Sequence, residues 1–244
     1  MDPFSFAPLW HILDAAYRLV ESIAQLLEPL IGSWSAGAAI ITITLLVRIL
    51  LIPVGISQVR AEWSGRRIAP KLRSLQRKYR ENPALLQKKT MALYRAENVS
   101  PMAGFLPMLL QAPVISIVYA LFIRGTIGGH ANALLASTIG GVPLGASLVT
   151  TGVTWPGILV FVGLIVVIGA VAWMSRLIAR RLAIQPVDAP AMARLNAVLS
   201  WLPFITLVMA AVVPLAAVIY LATTTTWTLV ERAILRRRYW GAVA

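Results

Sequence analysis

The chain has 244 residues, of which 59% are hydrophobic and only 13% are charged, and its mean hydropathy is +0.78. A soluble domain of this length does not need so much apolar sequence, so the composition predicts an all-α polytopic membrane protein. The lack of cysteine in the sequence excludes disulfides, thiol catalysis and cysteine-ligated metals, and the net charge of +13 makes nucleic acid a conceivable partner.

The placement of the basic residues favours a membrane topology over nucleic-acid binding. Eleven of the 22 Lys and Arg residues lie between Arg60 and Arg95, and two smaller groups lie at 176–194 and 232–238, whereas 125–155 contains none. By the positive-inside rule all three groups are expected in the cytoplasm. Five apolar runs then predict a multi-pass protein of the bacterial plasma membrane with its N-terminus outside and its C-terminus in the cytoplasm. No signal peptide is expected from the first residues.

Residues 1–35 are predicted to form an extracytoplasmic amphipathic helix. Polar side chains recur at intervals of three and four between His11 and Glu28, and apolar side chains fill the other face. We expect this helix to lie flat on the outer membrane surface. Packing against the outer mouth of a helix bundle is the alternative.

The first predicted span, 36–57, carries Arg48 near its middle. An arginine at the centre of a span costs about 2.5–3.5 kcal/mol on insertion scales, and no acidic partner is expected within the other apolar spans. We therefore predict that water reaches Arg48 in a cavity open to one side of the membrane. The alternative is an arginine satisfied by carbonyls or hydroxyls of a neighbouring helix. Thr44 lies one turn earlier on the same face, and Pro53 is expected to bend the helix.

The segment 58–101 is predicted to be a cytoplasmic basic helical hairpin. Asn82 and Pro83 are a typical cap and first helical residue for its second helix, and Pro70 is expected to break the first. The basic faces fit solvation and topology control as well as attraction to anionic headgroups or RNA.

The remainder of the chain is predicted to alternate between spans and loops. In order, the segments are the second span 102–123, an extracytoplasmic loop 124–155, the third span 156–175, a cytoplasmic loop 176–196, the fourth span 197–213, the fifth span 214–232 and a basic cytoplasmic tail 233–244. The last two spans are short, which predicts a locally thin bilayer or a shallow hairpin hinged near Pro214. With the helix at 1–35 and the hairpin, this completes a five-span architecture.

No arrangement of residues typical of catalysis is found in the sequence. The spans are expected to hold no His, Asp or Glu, and no P-loop is present, so we expect no enzyme activity, cofactor or metal. Polar side chains at membrane depth instead surround one positive charge and would attract a carboxylate or a hydrophilic tail. Thr223 to Thr226 add four consecutive hydroxyls to the last span. The candidate substrate-binding residues are Arg48, Thr44, Gln111, Ser116, Tyr119 and Tyr220.

Three stretches of sequence carry a resemblance to a known family. They are TLLVRILLIPVGISQ, PKLRSLQRKY and LYRAENVSPMAGFLPMLLQAPVISIVYALF. Their residues and their order resemble the YidC/Oxa/Alb family of membrane protein insertases over about 36–238. The last span departs from the family pattern at Ala217, Leu221 and Thr225.

The resemblance implies a five-helix core with a hydrophilic groove open to the cytoplasm and to lipid. Arg48 would lie in this groove, and Thr44, Gln111 and Tyr220 match positions that line it or contact substrate. The implied function is a membrane protein insertase and chaperone. Its implied partners are nascent membrane proteins, the Sec translocon, membrane lipid and the ribosome, which the hairpin, second cytoplasmic loop and tail would contact. A small-anion transporter or channel that uses Arg48 as its binding charge is the alternative, although no inverted repeat is found.

Overall fold

The computed structural model describes residues 7–100, 116–117, 119–127, 129–149, 155, 157–182 and 197–240. These residues are mostly helical and divide into two compact units. The first unit comprises the described parts of Met1–Ile49 and Val114–Leu229, and the second those of Leu50–Pro113 and Val230–Ala244. Most of the predicted second span, including Gln111, lies outside the described residues, as does most of the predicted loop 176–196.

The first unit begins with a long helix, α1, at Ala7–Ile31, followed by a 3-10 turn at Gly32–Trp34 and helix α2 at Ser35–Leu50. The inner face of α1 buries Leu13 and Val20. The hydroxyl of Tyr17 accepts a hydrogen bond of 3.3 Å from the backbone N–H of Ala133 in the predicted outer loop. The predicted helix is therefore present, and its packing fits the alternative in which it lies against other parts of the protein.

The helix after α2 does not begin until Ile52, since Leu51 interrupts the helical path with φ −88° and ψ 0°. Pro53 occupies the first turn of the new helix, α3, which runs over Ile52–Lys78. A proline has no N–H to donate to the carbonyl four residues earlier, so one bond of a continuous helix is necessarily lost here. The interruption lies close to the bend that Pro53 predicts.

The predicted outer loop 124–155 contains strands that its sequence does not signal. Two antiparallel pairs of two-residue strands flank a single helical turn, α5, which follows helix α4 at Pro83–Ala96 in chain order. The elements of the loop are β1 Thr126–Ile127, β2 His130–Ala131, α5 Ala133–Ala136, β3 Thr138–Ile139 and β4 Val142–Pro143. Gly140 and Gly141 both have positive φ and allow the tight turn between β3 and β4. Strands of this length are too short for an alternating pattern to be recognised.

The first unit continues with α6 at Ile158–Leu182, a 3-10 turn at Leu202–Phe204, α7 at Ile205–Val212 and α8 at Leu215–Trp240, which extends into the second unit. Pro214 separates α7 from α8 at the predicted hinge. The largest buried side chains come from several of these elements: Ile40, Phe122, Leu144, Phe161, Ile168 and Leu215. The core is thus built from α2, the described end of the predicted second span at 119–123, the outer loop, α6 and the start of α8.

Two helical stretches of the described residues, His11–Leu50 and Ile158–Leu182, are long and apolar enough to cross a membrane. A third, Ala197–Val212, is apolar but shorter. The protein is thus mostly helical with helices of membrane-spanning length, while the count of five spans remains a prediction.

The second unit contains α3, helix α4 at Pro83–Ala96 and the end of α8. The side-chain oxygen of Asn82 accepts from the N–H of Leu85 at 3.0 Å, which confirms Asn82 as the cap and Pro83 as the first residue of α4. The prediction that Pro70 breaks the first helix is wrong, because α3 continues through it. One missing N–H removes a single helical bond, and the neighbouring turns maintain the helix.

Candidate functional site

Arg48 lies in the last turn of α2 and is half-buried. Its Nε donates a hydrogen bond of 2.8 Å to the Oγ1 of Thr224 on α8, and its Nη2 donates to the same oxygen. One hydroxyl oxygen therefore accepts two donors of the guanidinium and fixes its direction. Thr224 itself is only 8% exposed.

Three neighbouring threonines of α8 bond to the backbone of their own helix. Thr223, Thr225 and Thr228 each donate to the carbonyl four residues earlier, at 2.7–2.8 Å. Such bonds keep a hydroxyl against the backbone of its helix. Thr224 differs from these three because its oxygen accepts hydrogen bonds from another helix.

Thr44, the predicted neighbour of Arg48, is buried at 4% exposure. Its hydroxyl donates to the carbonyl of Ile40 at 2.6 Å, so it serves the backbone of α2. Tyr220 lies one turn before Thr224 on α8, and its ring packs beside that of Phe122 with 6.3 Å between centroids. Thr44 thus lies one turn before Arg48 on α2, and Tyr220 lies one turn before Thr224 on α8.

The remaining predicted site residues lie elsewhere or are not described. Ser116 and Tyr119 are both exposed, Tyr119 at 58%, and Gln111 lies outside the described residues. Among the described residues, the Arg48 side chain donates to Thr224 and not to Ser116 or Tyr119. Their role in substrate binding remains a prediction.

Thr224 is the residue that sequence reasoning did not assign to the site. The signal for it was the run of four hydroxyls from Thr223 to Thr226, but neighbouring residues of a helix point in directions about 100° apart. Only the packing of α2 against α8 decides which hydroxyl meets Arg48.

No carboxylate pairs with Arg48 among the described residues. The expectation that the other spans contain no acidic residue is nevertheless wrong, because Glu231 lies at the end of the predicted fifth span. Its carboxylate approaches the backbone of Gly55 so closely that a Cβ there would lie 2.0 Å from Oε1. A glycine at position 55 is what permits this approach, since any other side chain would displace the carboxylate.

Ionic contacts hold the second unit together. Arg236 donates from Nε and Nη2 to both oxygens of Glu62, at 3.0–3.2 Å, and the guanidinium of Arg60 lies 5.1 Å from the ring centroid of Tyr239. A bidentate pair of this kind fixes both distance and orientation. These contacts join the start of α3 to the end of α8.

A second ionic cluster joins α3 to the end of α4. The carboxylate of Glu97 binds Lys71 and lies 3.4 Å from Nη2 of Arg67, which also donates to the Glu97 carbonyl at 3.2 Å. The hydrogen bond from Lys71, followed by the charges of Lys71 and Arg67, lowers the pKa of Glu97 below its usual 4.5, although partial desolvation opposes the shift. The carboxylate of Glu97 therefore stays ionised at neutral pH.

A family model described as the 60Kd inner membrane protein matches residues 26–241. The chain is also similar to proteins named membrane protein insertase YidC. It is 38% identical to the one from Clostridium perfringens over 118 residues, which is 46% of this chain and 50% of that protein. The corresponding values for the Clostridium tetani protein are 32% over 122 residues, 48% and 56%. For the Granulibacter bethesdensis protein they are 34% over 116 residues, 48% and 18%. The matched part thus spans about half or less of these relatives' length.

Proposed function

Because the chain belongs to the 60Kd inner membrane protein family, we propose that it is a membrane protein insertase and chaperone rather than an enzyme. The observation that carries this proposal is the half-buried guanidinium of Arg48, held by the single hydroxyl of Thr224. A hydroxyl orients a guanidinium but does not neutralise it. The positive charge is therefore available to a client.

In the proposed mechanism, Arg48 and the polar residues near it form a hydrophilic groove open to the cytoplasm and to lipid. The polar end of a client segment enters the groove, where Arg48 attracts its carboxylates and lowers the free energy needed to bring them into the membrane. The apolar part of the segment meanwhile partitions into lipid. Each Leu, Ile, Phe or Val at the centre of the inserting helix contributes about 0.3–0.6 kcal/mol, so no nucleotide or other cofactor is required.

The proposed clients are nascent membrane proteins, and lipid is the medium that receives them. Action alone and action with the Sec translocon both fit this mechanism. The basic face of the hairpin formed by α3 and α4, together with the second cytoplasmic loop and tail, would contact the ribosome. Arg73, Lys88 and Lys89 contribute to the charge of this hairpin, which suits attraction to RNA phosphates.

The proposed topology follows from the distribution of charge. The three basic groups lie in the cytoplasm, and the segment 125–155, which has no Lys or Arg, lies outside. The N-terminus is then outside and the C-terminus inside, in the plasma membrane of a bacterium.

Reconstitution of the chain alone into liposomes, with a single-span client bearing an acidic tail, tests the proposal. We expect the tail to become protected from external protease in liposomes that contain the chain, and not in empty liposomes. Efflux of a small anion without insertion of the client would support the transporter alternative and contradict the insertase.

A further inference from the structure

An arginine between two tryptophans forms a separate site in the first unit. The guanidinium carbon of Arg176 on α6 lies 3.6 Å from the ring centroid of Trp201 and 5.7 Å from that of Trp173. Phe204 packs against both indoles, edge-on to Trp173 at 6.5 Å and tilted to Trp201 at 5.2 Å between centroids. We call these four residues the Arg176 cluster.

The cluster is organised around the guanidinium. Stacking on Trp201 covers a face of the guanidinium plane, whereas the N–H donors point outward within the plane. Nε donates to Oγ of Ser200 at 3.4 Å, which is a long hydrogen bond. No ion pair to Arg176 is formed among the described residues. The rings thus orient a cation whose charge no carboxylate neutralises in this part of the chain.

The charged residues that neighbour the cluster in the described sequence are basic, and most of the others are apolar. Arg180 lies one turn further along α6, and neither 158–182 nor 197–212 contains an acidic residue. Trp173 and Trp201 remain 50% and 51% exposed. Exposed apolar side chains continue from the cluster along the neighbouring segment: Val198, Leu199, Leu202 and Ile205.

We propose that the Arg176 cluster binds the phosphate of an anionic phospholipid headgroup. The guanidinium edge would bind the phosphate, and the exposed indoles and apolar side chains would contact the glycerol and upper acyl chains, as tryptophans do at the membrane interface. Arg180 and Arg181 favour an anionic lipid, because all the charged residues of the two described stretches that form the cluster, 158–182 and 197–212, are cations. The continuous apolar surface favours a lipid over free phosphate.

The test uses the full chain in detergent micelles titrated with phosphatidylglycerol or phosphatidylcholine and measures the lipid retained by native mass spectrometry. We expect tighter retention of phosphatidylglycerol. Arg176→Gln should raise the apparent Kd for this lipid about ten-fold or more, the loss typical of charge-assisted hydrogen bonds. Arg181→Gln is the matched control: it removes the same charge from the same helix end and should cost no more than the about five-fold effect of one non-specific charge.

A second variant tests the same site if Arg176→Gln fails to fold. Trp201→Leu keeps an apolar side chain but removes the stacking partner, and should raise the apparent Kd about two- to five-fold, as expected for a lost cation–π contact. Equal losses in Arg176→Gln and Arg181→Gln would overturn the proposal in favour of non-specific attraction. Displacement of the lipid by inorganic phosphate at an equal phosphate concentration would also overturn it, since the site would then prefer the free anion.

Discussion

The Nε of Arg48 lies 2.8 Å from the Oγ1 of Thr224, although 176 positions of the chain separate the two residues. This contact satisfies donors of the guanidinium without adding a negative charge, and an arginine with such a partner keeps its attraction for anions. An acidic partner would have fixed the side chain more strongly but would have cancelled the charge that the proposed mechanism uses.

The first prediction concerns the charge of Arg48. Arg48→Ala should impair insertion of clients with acidic tails about ten-fold, whereas Arg48→Lys should be milder because it keeps a cation. Protease protection of the client tail in liposomes is the measurement. Normal insertion by the alanine variant at wild-type protein level would show that the charge has no function.

The second prediction concerns the orientation of Arg48. Thr224→Val keeps the shape of the side chain but removes the acceptor, so the guanidinium loses its direction and insertion should fall about two- to ten-fold, in line with the net contribution of a typical hydrogen bond. Thr225→Val is the matched control, because that hydroxyl serves the carbonyl of Leu221. If both variants lose the same activity, the effect belongs to packing of α8 and not to Arg48.

The third prediction concerns water in the groove. The sequence has no cysteine, so single cysteines introduced at 44, 48 and 111 can be labelled without any signal from native thiols. The cysteines at 48 and 111 should react with a membrane-impermeant thiol reagent from the cytoplasmic side, since the reactive thiolate forms only where water is present. The cysteine at 44 tests whether water also reaches that buried position. A cysteine at exposed, apolar Leu46 should face lipid and stay unreactive. Unreactive thiols at all three groove positions would rule out the groove.

The fourth prediction concerns the hairpin. Deletion of 60–97 removes a large part of the second unit, including Glu62, but none of the residues of the first. We expect the variant to remain folded, by thermal unfolding in detergent, and to deliver clients less efficiently. Replacement of the same segment by a neutral helical hairpin of equal length separates the effect of charge from that of length. Complete loss of folded protein would instead show that the hairpin stabilises the whole chain.

The fifth prediction concerns pH and Glu97. Since the pKa of Glu97 is lowered, chiefly by the hydrogen bond from Lys71, its ionised form stabilises the contact between α3 and α4 above pH 4.5. That contribution is lost as the pH falls from 4.5 through the lowered pKa. Spin labels on cysteines placed in α3 and α4 should therefore give a narrow distance distribution at pH 7 and a broad one in strong acid.

Two variants control the pH experiment. Glu97→Gln should give the broad distribution at every pH, because its amide cannot replace the charge that binds Lys71. Glu81→Gln, an exposed position between the two helices, should behave as the wild type. A distribution in Glu97→Gln as narrow as that of the wild type at pH 7 would show that other contacts hold the two helices.

Much of the architecture follows from local sequence. The helix start at Asn82–Pro83, the interruption near Pro53 and the separation of α7 and α8 at Pro214 all depend on backbone chemistry within a few residues. The continuation of α3 through Pro70 and the short strands of the outer loop were not predictable in this way. A helix tolerates one lost bond when its neighbouring turns are favourable, and two-residue strands leave no periodic pattern.

The amino-acid sequence alone predicts that this protein is helical and rich in apolar segments, that its basic residues lie mainly in three groups and that one arginine lies within an apolar run. These properties depend on composition and spacing, which packing does not change. The packing of the helices, by contrast, sets the contact of Arg48 with Thr224, while Thr223 and Thr225 bond to their own helix. Consecutive side chains of a helix point in different directions, and the rotation of α8 against α2 determines which of them faces the guanidinium.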